Sequence, residues 1–177
     1  MSEIAKGTLS FALAKSKLAI SEHAQEPSVL DMFKQVDISD KKEVKREAVA
    51  SGRIYLKKET IEQIKNKTIK KGDPLEAAQL AAVNAVKETP NLIFLCHQIP
   101  VGSVNTDFKV NEDYIEAAVT VKTTAKTGVE MESLVGVSIC LNTIWDMVKY
   151  LEKDENGQYP GTRITDIRVI KKIKGAE

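Results

Sequence analysis

Beyond residue 50 the spacing of the apolar residues changes from segment to segment. Some segments have the two-residue period of a strand, and others have the three- to four-residue period of a helix. Residues 52–56 predict a short strand. Ile61 and Ile64 fall at helical spacing and predict a helix over residues 59–70. Gly72 is predicted to end that helix, as glycine commonly does. The two lysines before it carry the positive charge that suits the C-terminal end of a helix.

A second helix has three start signals. Asp73 is a capping residue, Pro74 suits the first helical position, and Glu76 stands three residues after the cap. This alanine-rich helix should end just before Pro90, because the residue that precedes a proline avoids the helical region. The continuous apolar run of residues 92–96 then predicts a strand that is covered on both faces.

The second half of the chain predicts a hairpin, a long helix and a last strand. Residues 101–110 and 114–123 are strand segments joined by three polar residues. Residues 127–130 have the form of a capping box and predict a helix that runs to about Lys153. Residues 164–173 alternate again and predict the final strand. Together the elements predict an α+β sandwich, with helices packed on one face of an antiparallel sheet.

Composition narrows the classes of function. The 177 residues are 42% hydrophobic and 29% charged, which permits a core and excludes wholesale disorder. Lys and Arg number 26 against 25 Asp and Glu, and aromatic residues are only 5%, so we expect no nucleic acid as partner. Two cysteines suit a reducing compartment, and no run reaches the ~18 apolar residues of a membrane span. We therefore expect a cytoplasmic protein with no membrane partner.

The first 33 residues are interpreted as an N-terminal extension to a domain formed by residues 34–177. Their longest apolar stretch, residues 11–14, is cut off by Lys15 and is shorter than the ~7–15 residues of a secretory signal. We expect this extension to be a tail or a helix that lies on a neighbouring subunit.

Three segments carry residues that suit chemistry, and the first is Lys70–Pro74. Lysines and backbone amides beside a helix start can form an anion site. A cationic turn followed by an ordinary helix cap explains the same residues, so this segment alone is a weak signal.

Cys96 and His97 form the second segment. A histidine at the end of a strand, with a pKa near neutrality, suits proton transfer. A zinc site needs four ligands, and besides carboxylates the chain offers only these two residues, Cys140 and His23, so we expect no metal. A Cys–His nucleophile pair is disfavoured because neighbouring strand residues point to opposite faces. A histidine that is hydrogen-bonded for structural reasons remains the simplest alternative.

Asp146 and Lys149 form the third segment. They fall on one face of the predicted long helix, away from the apolar stripe of Leu141, Ile144, Val148 and Leu151. A surface ion pair that contributes roughly 0.2–0.5 kcal/mol is one explanation. The other is an acid/base couple, in which each charge fixes the protonation state of its partner. The spacing does not decide between them.

A set of segments, taken in order, carries a family resemblance. The segments are Val36-Asp37-Ile38-Ser39, Arg46–Ile54, Lys71-Gly72-Asp73, Leu95-Cys96-His97, Thr127-Gly128-Val129-Glu130-Met131-Glu132 and Thr143-Ile144-Trp145-Asp146-Met147. Over roughly residues 35–175 the chain resembles the cyclic pyranopterin monophosphate synthase family, protein C of molybdenum cofactor biosynthesis. The resemblance implies a ferredoxin-like fold and a homo-hexamer built as a trimer of dimers, with active sites between subunits.

The resemblance also implies a reaction. The substrate is (8S)-3',8-cyclo-7,8-dihydroguanosine 5'-triphosphate, a cyclised dihydro-GTP made by an upstream radical enzyme. Its ring opens and recloses as a pterin, and internal attack on the innermost phosphate gives cyclic pyranopterin monophosphate and pyrophosphate. Such a reaction needs proton transfers and a site that neutralises a triphosphate, and the resemblance implies no redox step and no cofactor.

Position by position, the resemblance implies catalytic roles for Asp146, Lys149 and Lys71. The residues for which we expect substrate contacts are Leu95, Cys96, His97, Lys126, Glu130, Met131 and Glu132. The family's common Ser-Gly-Gly-Lys-Ser-Gly segment has no match in this chain, and its lysine is placed near Lys172.

Two other classes of function stay open on the sequence. A nucleotide- or anion-binding module would need the Asp146 and Lys149 pair to be structural only. A non-catalytic assembly protein would use the sheet for contacts between subunits.

Overall fold

The computed structural model describes residues 33–176, and a compact unit begins at Val36. All but the last residue of the predicted extension therefore lie outside the described residues, and the boundary at residues 33 and 34 stays a prediction. The elements of the unit are β1 (Val44–Tyr55), α1 (Lys58–Lys65), α2 (Pro74–Leu92), β2 (Ser103–Val110), β3 (Tyr114–Ala125), α3 (Glu130–Glu152) and β4 (Arg163–Lys174).

The four strands form one antiparallel sheet in the order β2-β3-β1-β4. The central strands β1 and β3 pair over their full lengths, from Val44 opposite Ala125 to Tyr55 opposite Tyr114. Alternate residues of both strands are buried, as their two-residue period predicts. The pairing of β1 with the edge strand β4 contains register shifts, and Asp166 on β4 has a φ of 58°.

Helices α2 and α3 cover one face of this sheet. The buried side chains of β1 and β3 share a single hydrophobic cluster with those of both helices, including Val86, Leu141 and Ile144. Gly136 permits a close approach of α3, because a Cβ there would lie 2.8 Å from Val86 Cγ2 and 3.1 Å from Val119 Cγ1. The element order and the single helical layer confirm the predicted α+β, ferredoxin-like fold.

The first helix is shorter than predicted. α1 ends at Lys65, with Asn66 as its C-cap, rather than at residue 70. Lys67 has a left-handed φ of 56°, so this residue, and not Gly72, turns the chain out of the helix. Gly72 has a φ of 104° and lies in a separate turn before α2. The lysine pair therefore belongs to a loop and not to a helix end.

The second helix begins as predicted and ends later. The Asp73 side chain caps it, but the helix continues through Pro90 to Leu92. The packing of its buried face against α3 and the sheet outweighs the local preference of the residue before a proline.

The strand predicted over residues 92–96 is wrong. The segment after α2 is a turn, in which the N–H of Cys96 donates to the carbonyl of Ile93 at 2.8 Å. Phe94 in this segment is 76% exposed. A continuous apolar run has no period that separates a buried strand from other structure, and this one is not covered on both faces.

Two details of the remaining elements differ from the prediction. β1 begins at Val44, well before the predicted strand of residues 52–56, whereas the hairpin and the last strand are confirmed with small differences at their ends. The capping box predicted at Thr127 is wrong, because Val129 occupies the N-cap of α3 and makes no side-chain hydrogen bond there. The side chain of Glu130, which would complete such a box, forms an ion pair with Lys172.

The long helix α3 contains a strongly apolar stretch. Its mean hydropathy of 1.2 over an 18-residue window passes the length and composition test for a membrane span. Its place on the sheet explains this apolar character, because Val137, Leu141, Ile144 and Val148 are fully buried in the core. The predicted apolar stripe is therefore confirmed as the face that packs on the sheet.

Candidate active site

A loop and a helix bring together the three residues predicted to be catalytic. Lys71 lies between α1 and α2, and Asp146 and Lys149 lie three residues apart on α3. Lys71 Nζ is 3.0 Å from Asp146 Oδ2 and also donates to the main-chain carbonyl of Asp146 at 2.7 Å. Lys149 Nζ is 2.7 Å from Asp146 Oδ1. Each carboxylate oxygen thus holds one ammonium group, and we name these three residues the Lys-Asp-Lys cluster.

Charge fixes the protonation states in the Lys-Asp-Lys cluster. Hydrogen bonds from Lys149 and then from Lys71 hold the pKa of Asp146 below its usual range. The Asp146 carboxylate in turn raises the pKa of Lys149. At neutral pH Asp146 is therefore ionised and Lys149 is protonated. The three side chains are 41% to 57% exposed, which leaves the cluster open to a ligand.

The N-terminus of α2 is occupied by its own cap. Asp73 Oδ1 accepts hydrogen bonds from two N–H groups of the first turn, at 2.9 and 3.3 Å. Lys67 Nζ lies 3.4 Å from Asp73 Oδ2, and Lys71 Nζ bonds to Asp146 instead of facing these amides. An ordinary helix cap therefore fits this segment better than an anion site.

The other end of α3 borders a positively charged pocket with a volume of about 520 Å³. Five lysine and arginine side chains line it, against one carboxylate. The lining residues are Lys41, Arg46, Lys126, Thr127, Gly128, Glu130, Met131, Lys172 and Lys174. Several cations around a cavity of this size suit a polyphosphate, and we name this cavity the basic pocket.

Three of the predicted substrate-binding residues lie in the wall of the basic pocket. Lys126 Nζ donates to the carbonyl of Ser39 at 2.6 Å, which fixes the direction of its side chain. Burial opposes ionisation of Glu130, but the hydrogen bond from Lys172 lowers the pKa of Glu130 below its usual value. Met131 is 39% exposed and forms an apolar part of the wall.

Glu132 lies beside these residues in sequence but faces the interior. It is only 3% exposed and lines a smaller cavity of about 250 Å³, together with residues of α2 and of the loop before β2. Burial raises the pKa of its carboxyl, and the charge of Glu130 raises it further. Glu132 therefore retains a proton to higher pH than an exposed glutamate does.

Leu95, Cys96 and His97 lie in the loop between α2 and β2 rather than at a strand end. His97 Nε2 is 2.7 Å from the carbonyl oxygen of Val36, a contact that favours the alternative of a structural histidine. Burial and the nearby charge of Glu132 raise the pKa of Cys96, which keeps its thiol protonated at neutral pH. Leu95 is 41% exposed.

The donors expected of a metal site do not gather in the described part of the chain. Within residues 33–176, no three His, Cys, Asp or Glu side chains lie close enough to hold a metal ion. Cys140 is buried in α3, where burial raises the pKa of its thiol to about 12. His23 lies outside the described residues.

The two groups of predicted site residues lie at opposite ends of one helix. Glu130 and Asp146 are about 24 Å apart along α3, at a rise of 1.5 Å per residue. The catalytic candidates surround Asp146, whereas Lys126 and Glu130 line the basic pocket. Within one chain the Lys-Asp-Lys cluster and the basic pocket are therefore separate.

Sequence reasoning did not select Lys41, Arg46 or Lys174 as site residues, although all three line the basic pocket. Arg46 Nη2 lies 3.4 Å from the carbonyl of Lys126, and its buried Nε has no hydrogen-bond partner. The sequence does contain a signal for Arg46. It lies two residues before the inward-facing Ala48, so the two side chains lie on the same face of β1. A charged residue at an inward-facing strand position is unusual and indicates a site.

Comparison with known proteins agrees with the resemblance found in the sequence. The sequence model of the MoaC family matches residues 35–175. The chain belongs to the MoaC family. A protein of Thermococcus kodakarensis is 59% identical over 144 residues, which cover 81% of this chain and 92% of that protein. A protein of Methanoregula boonei is 58% identical, over 79% of this chain and 90% of that protein. A protein of Methanosphaerula palustris is 57% identical, over 82% of this chain and 94% of that protein.

Each of these MoaC relatives has the name probable cyclic pyranopterin monophosphate synthase. The family match includes the loop of Lys71, all of α3 and every residue that lines the basic pocket. The resemblance is thus confirmed over residues 35–175. The roles of Asp146, Lys149 and Lys71 stay predictions, as do the substrate contacts.

Proposed function

We propose that this MoaC protein is a cyclic pyranopterin monophosphate synthase of molybdenum cofactor biosynthesis. Its substrate is the cyclised dihydro-GTP, and its products are cyclic pyranopterin monophosphate and pyrophosphate. The observation that carries the proposal is the Lys-Asp-Lys cluster, an exposed carboxylate held between two ammonium groups in a protein whose relatives have that name.

The Lys-Asp-Lys cluster moves the protons of the rearrangement. Opening a ring and closing it again as a pterin requires a group that donates a proton and later takes one up. Lys149 enters the reaction protonated, because the Asp146 carboxylate raises its pKa. After Lys149 has donated its proton, Asp146 stays paired with Lys71, and the neutral amine of Lys149 serves as the base for the next step.

The basic pocket binds the triphosphate. Its lysine and arginine side chains offset the negative charge of the phosphates and stabilise the pyrophosphate as it leaves. Arg46 contributes a forked donor with a buried, unpartnered Nε, which suits a phosphate oxygen. This division gives the proton transfers to one group of residues and the charge neutralisation to the other.

The two parts of the site come from different subunits. Because they are about 24 Å apart along α3 of one chain, we assign the Lys-Asp-Lys cluster of one protomer and the basic pocket of its neighbour to the same active site. The assembly is a homo-hexamer built as a trimer of dimers. The protein works in the cytoplasm, where an upstream radical enzyme supplies the cyclised dihydro-GTP.

A turnover assay beside a binding assay tests this function. Purified protein is mixed with the cyclised dihydro-GTP, and the release of pyrophosphate and the formation of the pterin product are followed. In parallel, calorimetry measures binding of the same compound to the Asp146→Asn variant. Turnover by the wild-type protein supports the synthase. Binding without turnover would indicate a nucleotide-binding module. If neither binding nor turnover is found, a non-catalytic assembly protein is the remaining explanation.

A further inference from the structure

Tyr150 lies one helical turn beyond Asp146, on the same side of α3. Its phenol oxygen accepts a hydrogen bond from the backbone N–H of Lys70 at 3.1 Å. The next residue is Lys71, whose Nζ contacts Asp146. The loop between α1 and α2 is therefore attached to α3 at two points that are one turn apart.

The attached segment is a tight turn. The N–H of Gly72 donates to the carbonyl of Ile69 at 3.1 Å, so Lys70 and Lys71 are the two central residues of the turn. Ile69 is buried and anchors the start of this turn in the core. Lys70 and Lys71 are exposed, and Tyr150 provides the contact that ties the backbone N–H of Lys70 to α3.

A fixed main chain matters for Lys71 because a lysine side chain has many rotamers. Holding its ammonium at one place costs conformational entropy, and the cost is smaller when the backbone that carries it is already held. A tyrosine is suited to that task, because its ring is rigid and has only two side-chain torsions.

We propose that Tyr150 is a positioning residue that holds the Lys70–Lys71 turn, so that Lys71 Nζ stays against Asp146 during the reaction. Its effect on turnover rests on the proposed function, but the positioning can be measured without turnover. Tyr150 is 37% exposed and does not belong to the core cluster. Removal of its hydroxyl alone should therefore lower the free energy of unfolding by no more than the loss of this one exposed hydrogen bond.

Tyr150→Phe removes only the acceptor oxygen, and Tyr114→Phe is its matched control. Tyr114 stands next to the buried Ile115 on β3, so its side chain lies on the sheet face opposite to α3. Amide hydrogen exchange of Lys70, read by NMR, should become roughly two- to tenfold faster in Tyr150→Phe, the size of one uncharged hydrogen bond. The Asp146 carboxyl should titrate at higher pH, because Lys71 is withdrawn and Lys149 remains. Tyr114→Phe should change neither.

In the turnover assay, Tyr150→Phe should lower kcat by roughly two- to tenfold with KM unchanged. An unchanged exchange rate at Lys70 would refute the hydrogen bond, and an unchanged kcat despite faster exchange would refute the positioning role. A rise in KM alone would also overturn the proposal, because it would assign Tyr150 to binding. If the wild-type protein shows no turnover, the proposed function fails, whereas the exchange and titration results still decide whether Tyr150 positions Lys71.

Discussion

Lys71 and Asp146, which are 75 positions apart in sequence, share two hydrogen bonds from one ammonium group. Lys71 Nζ donates to Asp146 Oδ2 at 3.0 Å and to the Asp146 carbonyl oxygen at 2.7 Å. The local pair of Asp146 with Lys149 follows from helix geometry, but the pair with Lys71 exists only because the fold lays a loop on α3. The carboxylate therefore has a cation on each side, which a surface ion pair does not require.

We expect Asp146→Asn to fold normally and to lose nearly all turnover. The substitution keeps the size of the side chain but removes its charge and its titration, at an exposed helix position where stability should move little. Loss of a general acid/base function costs about 10²–10⁴-fold in rate. Pyrophosphate release at saturating substrate measures the effect, with thermal unfolding as the control for folding. Turnover near the wild-type rate in a folded variant would remove Asp146 from the chemistry.

Lys71→Ala and Lys149→Ala should each abolish measurable turnover, and saturating substrate should restore neither. Both ammonium groups contact the same carboxylate, so removing either changes the charge of the whole Lys-Asp-Lys cluster. Because groups that act as a unit are non-additive, the double variant should be scarcely worse than either single one. Initial rates over a range of substrate concentrations make the test. If Lys71→Ala recovers at high substrate, Lys71 binds substrate and takes no part in the chemistry.

The sequence predicted the fold well where a period was present. The alternation in β3 and the helical stripe of α3 predicted these elements, because each buries one face. The alternation in β4 also predicted a strand, although no residue of this edge strand is fully buried. It failed at residues 92–96, where an apolar run without a period became a turn. It also failed at Thr127, because the side chain of Glu130 binds Lys172, which is distant in sequence.

The candidate site was predictable in its residues but not in its grouping. The helical spacing of Asp146 and Lys149 indicated a contact, which the structure has at 2.7 Å. No local pattern shows that Lys71 joins them or that Lys172 pairs with Glu130. Both contacts depend on long-range packing, which residue spacing does not encode.

Glu132→Gln should stabilise the protein increasingly as the pH rises. Burial raises the pKa of Glu132 in the folded state above its ordinary value of 4.5. Its contribution to stability is therefore fully present below pH 4.5 and is lost as the pH rises through the raised pKa. Glutamine has no proton to lose. The free energies of unfolding of the two proteins should therefore be similar near pH 4, and the value for the wild-type protein should fall below that of the variant towards pH 8. Urea unfolding across this range measures the difference, and a difference independent of pH would contradict a raised pKa.

Two inactive variants should restore activity when they assemble together, if the site lies between subunits. Asp146→Asn damages the Lys-Asp-Lys cluster, and Arg46→Ala damages the basic pocket. When equal amounts of the two chains are co-assembled, about a quarter of the sites combine an intact cluster with an intact pocket by random assortment. Turnover of the mixture should therefore approach about a quarter of the wild-type rate.

The control for this experiment is a mixture of Asp146→Asn with Lys71→Ala. Both changes fall in the Lys-Asp-Lys cluster of one chain, so every cluster in the mixed assembly carries one of them. This mixture should stay inactive. Recovery by both mixtures, or by neither, would contradict a site made of one cluster and the neighbouring pocket.

Gly136→Ala should destabilise the protein, although alanine favours helices. The added methyl group would lie 2.8 Å from Val86 Cγ2 and 3.1 Å from Val119 Cγ1, so α3 must move away from α2 and β3. Overpacking costs about 1–3 kcal/mol, and the better helix preference of alanine returns at most about 1 kcal/mol. Gly161→Ala is the matched control, because a Cβ there would meet nothing within 4 Å. Urea unfolding should show a loss for Gly136→Ala and a change within about 0.5 kcal/mol for Gly161→Ala. A more stable Gly136→Ala would mean that the contact of α3 with α2 and β3 has room to adjust.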